Sequence, residues 1–229
     1  LASTATAAAA AIAASTLATL AAAAQVTGTL GAGVFGYACH AATLGFQKWC
    51  ADYPGYADRE LQRANPGSIA LFWAGCGADQ NPIPRRTVEL AETYGKQLAA
   101  AVGEVLSSGA MRPIAGSLAS ASAEVDLELA HLADRAELES TLAKGNRYEQ
   151  GRARLLLDQL AQHGRLSPTY PYPVQTWRLG ASGPRWVLLG GEVVVDYVLR
   201  LKQELGTDTT WVAGYTNDVP AYIPSRRVL

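Results

Sequence analysis

The sequence predicts an α/β domain in which a mixed sheet is covered by helices and any site lies in loops at strand ends. Short apolar or β-rich runs alternate along the chain with segments of helical spacing, as in sheets covered by helices. Of the 229 residues, 49% are hydrophobic, which is enough for a substantial core. Ionisable residues follow several apolar runs directly, which is where α/β folds place their sites.

In the first half of the chain, the apolar run from Val34 is predicted to form a strand that ends near His40, followed by a segment with helical spacing. A helix is then expected to end at Ala64, before the turn residues Asn-Pro-Gly. Residues 68–75 are apolar throughout and predict a short strand. Two glycines, two prolines, an Asp and an Asn make residues 75–85 a structured loop. Apolar residues at helical spacing predict a helix from Thr87 to about Leu106.

In the second half, residues 114–129 alternate small or apolar with polar side chains and predict a strand with one buried face. Residues 134–142 and 148–163 are predicted to be charged amphipathic helices. Two β-rich runs around a Gly-Ala-Ser-Gly-Pro turn predict a hairpin over residues 173–192. A helix over residues 193–205 and a strand over residues 209–217 complete the alternation.

Residues 1–33 form an Ala-rich, low-complexity head, and residues 34–229 are interpreted as the globular domain. The chain has no charged residue before Lys48, so the head lacks the basic start of a signal peptide. It also has Ala where a membrane helix would have Leu, Ile or Val, so no transmembrane segment is predicted. Ala favours helix, and a buried or packed helix is the expectation; the alternative is that these residue identities are not native. If the chain is a non-catalytic interaction subunit, the head is the expected contact with a protein partner.

Charge and cysteine content exclude several classes of function. The 19 basic and 20 acidic residues nearly cancel without a dense basic run, so no nucleic-acid or anionic-lipid partner is expected. Cys39, Cys50 and Cys76 are too irregularly spaced for paired zinc ligands and are interpreted as buried or free thiols. One disulfide remains the alternative for an exported protein.

Three residues at the ends of apolar runs are candidates for chemistry. Glu192 follows two glycines, which allow a ligand to approach the backbone closely; alternatively, it lies in the first turn of the next helix. His40 is a candidate metal ligand or general base, or else a packed core histidine. Tyr222 follows a predicted strand and has packing with an edge hydroxyl as its alternative interpretation.

Three segments, GYACHAAT, LLGGEVVVDYVLRL and VAGYTNDVPAYIPS, resemble segments of the neutral or alkaline ceramidases, a family of zinc-dependent amidases. GYACHAAT resembles the family segment with a metal-binding His after a short strand, and LLGGEVVVDYVLRL resembles its Pro-Gly-Glu segment before a helix. VAGYTNDVPAYIPS is similar to the Gly-Leu-Ser-Asn-x-Tyr-x-x-Tyr segment, whose last Tyr binds zinc. The three segments occur in the family order from His40 to the C-terminus.

The resemblance implies that His40, Glu192 and Tyr222 bind Zn²⁺ and that His40 belongs to the catalytic site. GCGADQNPIPR resembles the family's Gly-Asp-x-Ser-Pro-Asn loop and adds Asp79 and Asn81 as catalytic candidates, with turn capping as their alternative role. The family's other zinc-binding His lies in an upstream His-Thr-His segment that has no counterpart in the Ala-rich head, and Val219 replaces the first Tyr of the third segment.

The function implied by the resemblance is hydrolysis of the amide bond in an N-acylated, sphingolipid-like small molecule. The resemblance also implies export to the periplasm or the extracellular space, and a ceramidase-like catalytic domain over residues 34–229 that is incomplete at both ends. One alternative is a non-catalytic structural or interaction subunit of the same fold that has lost a metal ligand. Another is a serine hydrolase, but the chain contains no GxSxG motif, and His131 and His163 fall in charged segments predicted to be helical.

Overall fold

The computed structural model describes residues 22–26, 29–114, 116–181 and 183–229. The chain divides into two compact units: residues 123–174 form one, and residues on either side of them form the other. The predictions for the first 21 residues of the Ala-rich head, including a protein partner there, lie outside the described residues. The larger unit holds every candidate site residue.

A three-stranded sheet opens the larger unit. Strand β1 (Ala22–Val26) pairs antiparallel with β2 (Thr29–Tyr37), and β2 pairs parallel with β3 (Ile69–Ala74). Parallel neighbours need a crossover connection, and helix α1 (Asp52–Ala64) supplies it. Helix α2 (Val88–Ser107) follows β3 and is capped at its start by the Thr87 side chain.

The core of this unit lies between the first sheet and helices α1 and α2. Phe35 of β2 is only 1% exposed and packs with side chains that α1 and α2 present at helical spacing. The buried cluster consists of Phe35, Tyr53, Ala57, Leu61, Tyr94, Leu98, Ala99 and Val102.

A second sheet has the strand order β4 (Leu118–Glu128), β5 (Thr169–Leu179), β6 (Arg185–Leu189) and β8 (Thr210–Ala213). Strands β6 and β8 are parallel and are connected through β7 (Glu192–Val193) and helix α5 (Val195–Leu205). Strand β7 leaves this sheet and pairs parallel with β9 (Tyr222–Ile223). Four tryptophans from β3 and the second sheet pack together, with ring centroids 4.4–6.0 Å apart: Trp73, Trp177, Trp186 and Trp211.

The smaller unit contains helices α3 (Arg135–Lys144) and α4 (Arg147–His163). Asp134 caps α3, and Asn146 starts α4 with a capping box, so both helices begin where side chains satisfy their first N–H groups. His131 lies before α3 rather than on a helix, and its Nε2 is 2.9 Å from a carboxylate oxygen of Glu137.

The α/β class is confirmed, together with the loop at residues 75–85 and a Thr87-capped helix. Three local predictions are wrong. Residues 41–51 form no helix, because tertiary bonds take their backbone groups: Leu44 N–H donates to the Asp52 carboxylate, and Thr43 O accepts from Arg86 N–H. Residues 22–24 of the head are paired in β1 instead of helical, since cross-strand bonds outweigh the helix propensity of Ala.

The third error concerns β4, whose alternation predicted one buried face. All but one of its residues are exposed, on both faces of the strand, so no described layer covers either face of β4. The interpretation of the cysteines is confirmed: Cys76 is buried, Cys39 half-buried and Cys50 exposed, and all three are free thiols. Within the described residues, no helix is both long enough and apolar enough to cross a membrane.

Candidate functional site

His40 lies three residues beyond the end of β2 and is fixed by the loop that follows β3. Its backbone N–H donates to Gln80 O at 3.0 Å, and its Nε2 lies 2.9 Å from Ala78 O. A carbonyl oxygen can only accept, so Nε2 carries a proton, and Nδ1 is the nitrogen that has a lone pair in the neutral tautomer. The loop approaches closely because Gly77 has no side chain: a Cβ there would lie 2.5 Å from Cys39 N.

Glu192 is the first residue of the short strand β7, and the backbone turns sharply at the preceding residue. Gly191 has φ +71°, a left-handed conformation that favours glycine, and its N–H donates to Asp218 O at 2.7 Å. Glu192 N–H donates to Ala221 O at 2.9 Å. Helix α5 begins only at Val195, so the alternative position of Glu192 in the first helical turn is excluded.

The structure brings His40, Glu192 and Tyr222 together. His40 Nδ1 lies 3.8 Å from Glu192 Oε2, and both side chains are largely shielded, with 17% and 25% exposure. Tyr222 is paired with Glu192 in the β7–β9 register, and its ring centroid lies 6.2 Å from that of His40. Partial desolvation, followed by the hydrogen bond to Glu192 and the charge of that carboxylate, raises the pKa of the Tyr222 hydroxyl.

Tyr215 joins this group and was missed by the sequence analysis. Its Oη lies 3.4 Å from His40 Nδ1 and 3.5 Å from Glu192 Oε2. Desolvation and the neighbouring Glu192 carboxylate raise the pKa of its hydroxyl. The one signal in the sequence is the Tyr in Gly-Tyr-Thr-Asn, at the position where the resembling segment has Leu.

The Asp79 carboxylate bonds to the start of helix α5 and to the C-terminal segment. Its Oδ1 accepts from Val195 N–H, the first N–H of α5, at 2.9 Å, and its Oδ2 accepts from Arg227 Nη2 at 3.1 Å. Arg227 also pairs with Asp196 at 2.9 Å. These bonds join the loop after β3 to the start of the helix that follows Glu192, a structural role different from the turn capping that the sequence left open.

A cavity of about 370 Å³ is lined by the 75–85 loop and by residues of β2, α1 and α2, and Cys39, the residue before His40, lies at its wall. Its walls are mainly apolar because two of its tyrosine hydroxyls are bonded to carbonyls: Tyr53 Oη donates to Cys39 O, and Tyr94 Oη to Pro84 O. Burial raises the pKa of the Cys39 thiol at its wall to about 12. Asp79, Gln80 and Asn81 supply its polar side, and Asn81 Oδ1 accepts from Arg85 Nη1 at 3.1 Å.

The donor set is unusual for a metal site. In the described part of the chain, no three His, Cys, Asp or Glu side chains form a group that could hold a metal ion. The groups gathered at His40 are one imidazole, one carboxylate and two phenols. A metal here would depend on tyrosine oxygens as well as on the usual ligands.

No protein-family model matches the chain. No curated protein matches it either. Its fold is similar to that of a solved structure described as "Ceramidase complexed with C2", with a TM-score of 0.58 and 16% sequence identity. The match covers 88% of this chain and 41% of that one, so this chain spans less than half of that structure. At this identity, the likeness shows a distantly ceramidase-like fold.

Proposed function

We propose that this chain carries the site of a zinc-dependent amidohydrolase that cleaves the amide bond of an N-acylated, sphingolipid-like substrate. The proposal rests on one observation: the fold brings His40, Glu192 and Tyr222 together although they lie far apart in the sequence. His40 follows β2, and Glu192 and Tyr222 lie on the paired strands β7 and β9. The ceramidase-like fold supports the same reaction class. These are also the residues that the sequence resemblance assigns to zinc.

The residues present fit zinc by the chemistry of their donor atoms. Zinc binds imidazole nitrogen and carboxylate oxygen, and a metal-bound His commonly donates its other N–H to a backbone carbonyl. His40 meets this condition, because Ala78 O takes the Nε2 proton and leaves the Nδ1 lone pair facing Glu192. Tyr222 supplies a phenol oxygen beside the same carboxylate.

A bound zinc ion would polarise the amide carbonyl and activate water for its hydrolysis. The chain's own residues supply the rigidity of the site: the 75–85 loop fixes the His40 ring, and the β7–β9 pair fixes the Glu192 backbone. The mainly apolar cavity at Cys39, the neighbour of His40 in the chain, offers room for the acyl portion of a substrate. Its volume of about 370 Å³ falls in the range of small-molecule pockets.

The proposal is tested by amide hydrolysis with zinc-depleted and zinc-reloaded protein, using fluorogenic N-acyl sphingosine and N-acyl amino acid substrates. We expect reloading with zinc to restore cleavage. His40→Ala and Glu192→Gln should each lower kcat/KM at least about 100-fold, because even groups behind a metal ligand change activity 10–100-fold. His131→Ala is the matched control, since His131 is 68% exposed and pairs only with Glu137 on the smaller unit.

Absence of both zinc uptake and amide cleavage would contradict the proposal and favour the non-catalytic subunit of the same fold. Cleavage that survives zinc removal and loss of His40 would instead point to a hydrolase without a metal. Export of the protein belongs to the same proposal, and signal-dependent secretion of the full gene product would test it.

A further inference from the structure

Three ligand-type atoms in the site form a small triangle. His40 Nδ1, Glu192 Oε2 and Tyr215 Oη are separated by 3.8, 3.5 and 3.4 Å. These distances are long for hydrogen bonds, because O–H donors usually lie about 2.7–2.8 Å from oxygen acceptors. The Tyr215 hydroxyl is therefore not drawn tightly to either neighbour.

The same distances match the spacing of ligands around zinc. Zinc–nitrogen and zinc–oxygen bonds are 2.0–2.2 Å long, and two corners of a tetrahedron lie about 1.6 times that distance apart, or about 3.3–3.6 Å. Both Tyr215 edges fall in this range, and the His40–Glu192 edge exceeds it by about 0.2 Å. The three atoms thus have the spacing of one face of a zinc tetrahedron.

The backbone holds Tyr215 in this place. Its N–H donates to Gly191 O at 2.9 Å, so Tyr215 is anchored to the residue that precedes Glu192. Its φ is +56°, a left-handed conformation that is uncommon outside glycine and is retained only where the surroundings enforce it. The ring meets that of His40 edge to face at 6.3 Å.

We propose that Tyr215 Oη is a direct zinc ligand, which forms one face of the coordination sphere with His40 Nδ1 and Glu192 Oε2. This inference rests on the proposed function only for the identity of the metal. The Tyr215 hydroxyl proton passes to solvent as its oxygen binds the ion, as metal binding to protonated ligands requires. His40, Glu192 and Tyr215 then supply three protein ligands without the His of the upstream segment, and Tyr222, which lies beside the same carboxylate, is the candidate for the next position.

The test replaces zinc with Cu²⁺ in the purified full chain, because a phenolate bound to Cu²⁺ gives a visible charge-transfer band that no histidine or carboxylate ligand produces. The wild type and the matched variants Tyr215→Phe and Tyr222→Phe are compared, with near-ultraviolet circular dichroism as the check that each is folded. Equilibrium dialysis against Zn²⁺ alone gives the dissociation constant. We expect Tyr215→Phe to lose intensity at this band and to raise the zinc Kd at least about tenfold.

A band that disappears in Tyr215→Phe and persists in Tyr222→Phe supports the assignment. Loss of intensity in both variants also supports it, and shows that the Tyr222 ligand of the proposed function binds the ion together with Tyr215. A band unchanged in Tyr215→Phe, or no band in copper-loaded wild type, overturns it. Failure of this inference is separable from failure of the proposed function. Zinc-dependent amidase activity with an unchanged band refutes only the ligand, and a Tyr215-dependent band without amidase activity refutes only the function.

Discussion

Replacing Asp79 by Ala separates a structural role of this residue from a catalytic one. The Asp79 carboxylate accepts the first N–H of α5 at 2.9 Å and pairs with Arg227 at 3.1 Å. Losing a helix-capping carboxylate costs about 0.5–2 kcal/mol, and losing a partly exposed ion pair adds about 0.2–1 kcal/mol. Arg227 keeps its second partner, Asp196, so no unpaired charge is created. We therefore expect Asp79→Ala to lower the free energy of unfolding by about 1–3 kcal/mol.

The assay is urea unfolding followed by tryptophan fluorescence. All five tryptophans lie in the larger unit, so the signal reports the unit that contains Asp79 even if the smaller unit unfolds separately. With an m-value of about 2 kcal/mol/M, the expected midpoint shift is roughly 0.5–1.5 M. Asp79→Asn should shift it less, because its amide oxygen can still accept from Val195 N–H. Arg227→Ala serves as the control that removes only ion pairs.

The reasoning is refuted if Asp79→Ala leaves the urea midpoint unchanged while amide hydrolysis is abolished. That result would assign Asp79 to the chemistry, as the resemblance to the Gly-Asp-x-Ser-Pro-Asn loop implies. A lower midpoint, with activity restored at low temperature or in stabilising osmolyte, would confirm the capping role.

Three further predictions concern residues around the site. Gly191→Ala should unfold the β7–β9 pair and abolish zinc binding, because the new Cβ would lie 2.9 Å from Ala221 O and residue 191 has a φ of +71°. Zinc titration followed by circular dichroism measures the binding, and unchanged binding would contradict the prediction. Stability should fall as pH rises from 9 toward 12, because the Cys39 and Cys76 thiols ionise near 9 in the unfolded chain but at about 12 in the folded one. Cys39→Ala should make the decline in urea midpoints across this range shallower by removing one of the two thiols, and an identical decline would argue against the assignment. Asn81→Ala should change the free energy of unfolding by less than about 0.5 kcal/mol, since the hydrogen bond that the Asn81 side chain accepts from Arg85 is exposed. A large loss of amidase activity at unchanged stability would identify Asn81 as catalytic.

Local patterns in the sequence determined most of the element order. Helical periodicity is a short-range signal, so the spacing of the apolar residues after Thr87 predicted α2 to within a residue or two. The same local logic failed for residues 41–51, where bonds to Asp52 and Arg86 from elsewhere in the fold occupy the backbone. Exposure of β4 also escaped prediction, because alternation indicates a strand but not whether any layer covers it.

The candidate site shows the same division. Sequence order and resemblance nominated His40, Glu192 and Tyr222, and a Gly-Gly-Glu segment after a strand is readable without a structure. Tyr215 lies 175 residues from His40, and only the tertiary fold brings its hydroxyl to 3.4 Å from the ring. Which of several plausible side chains meet at one point depends on the strand register and on the left-handed turn at Gly191. No single residue type determines both.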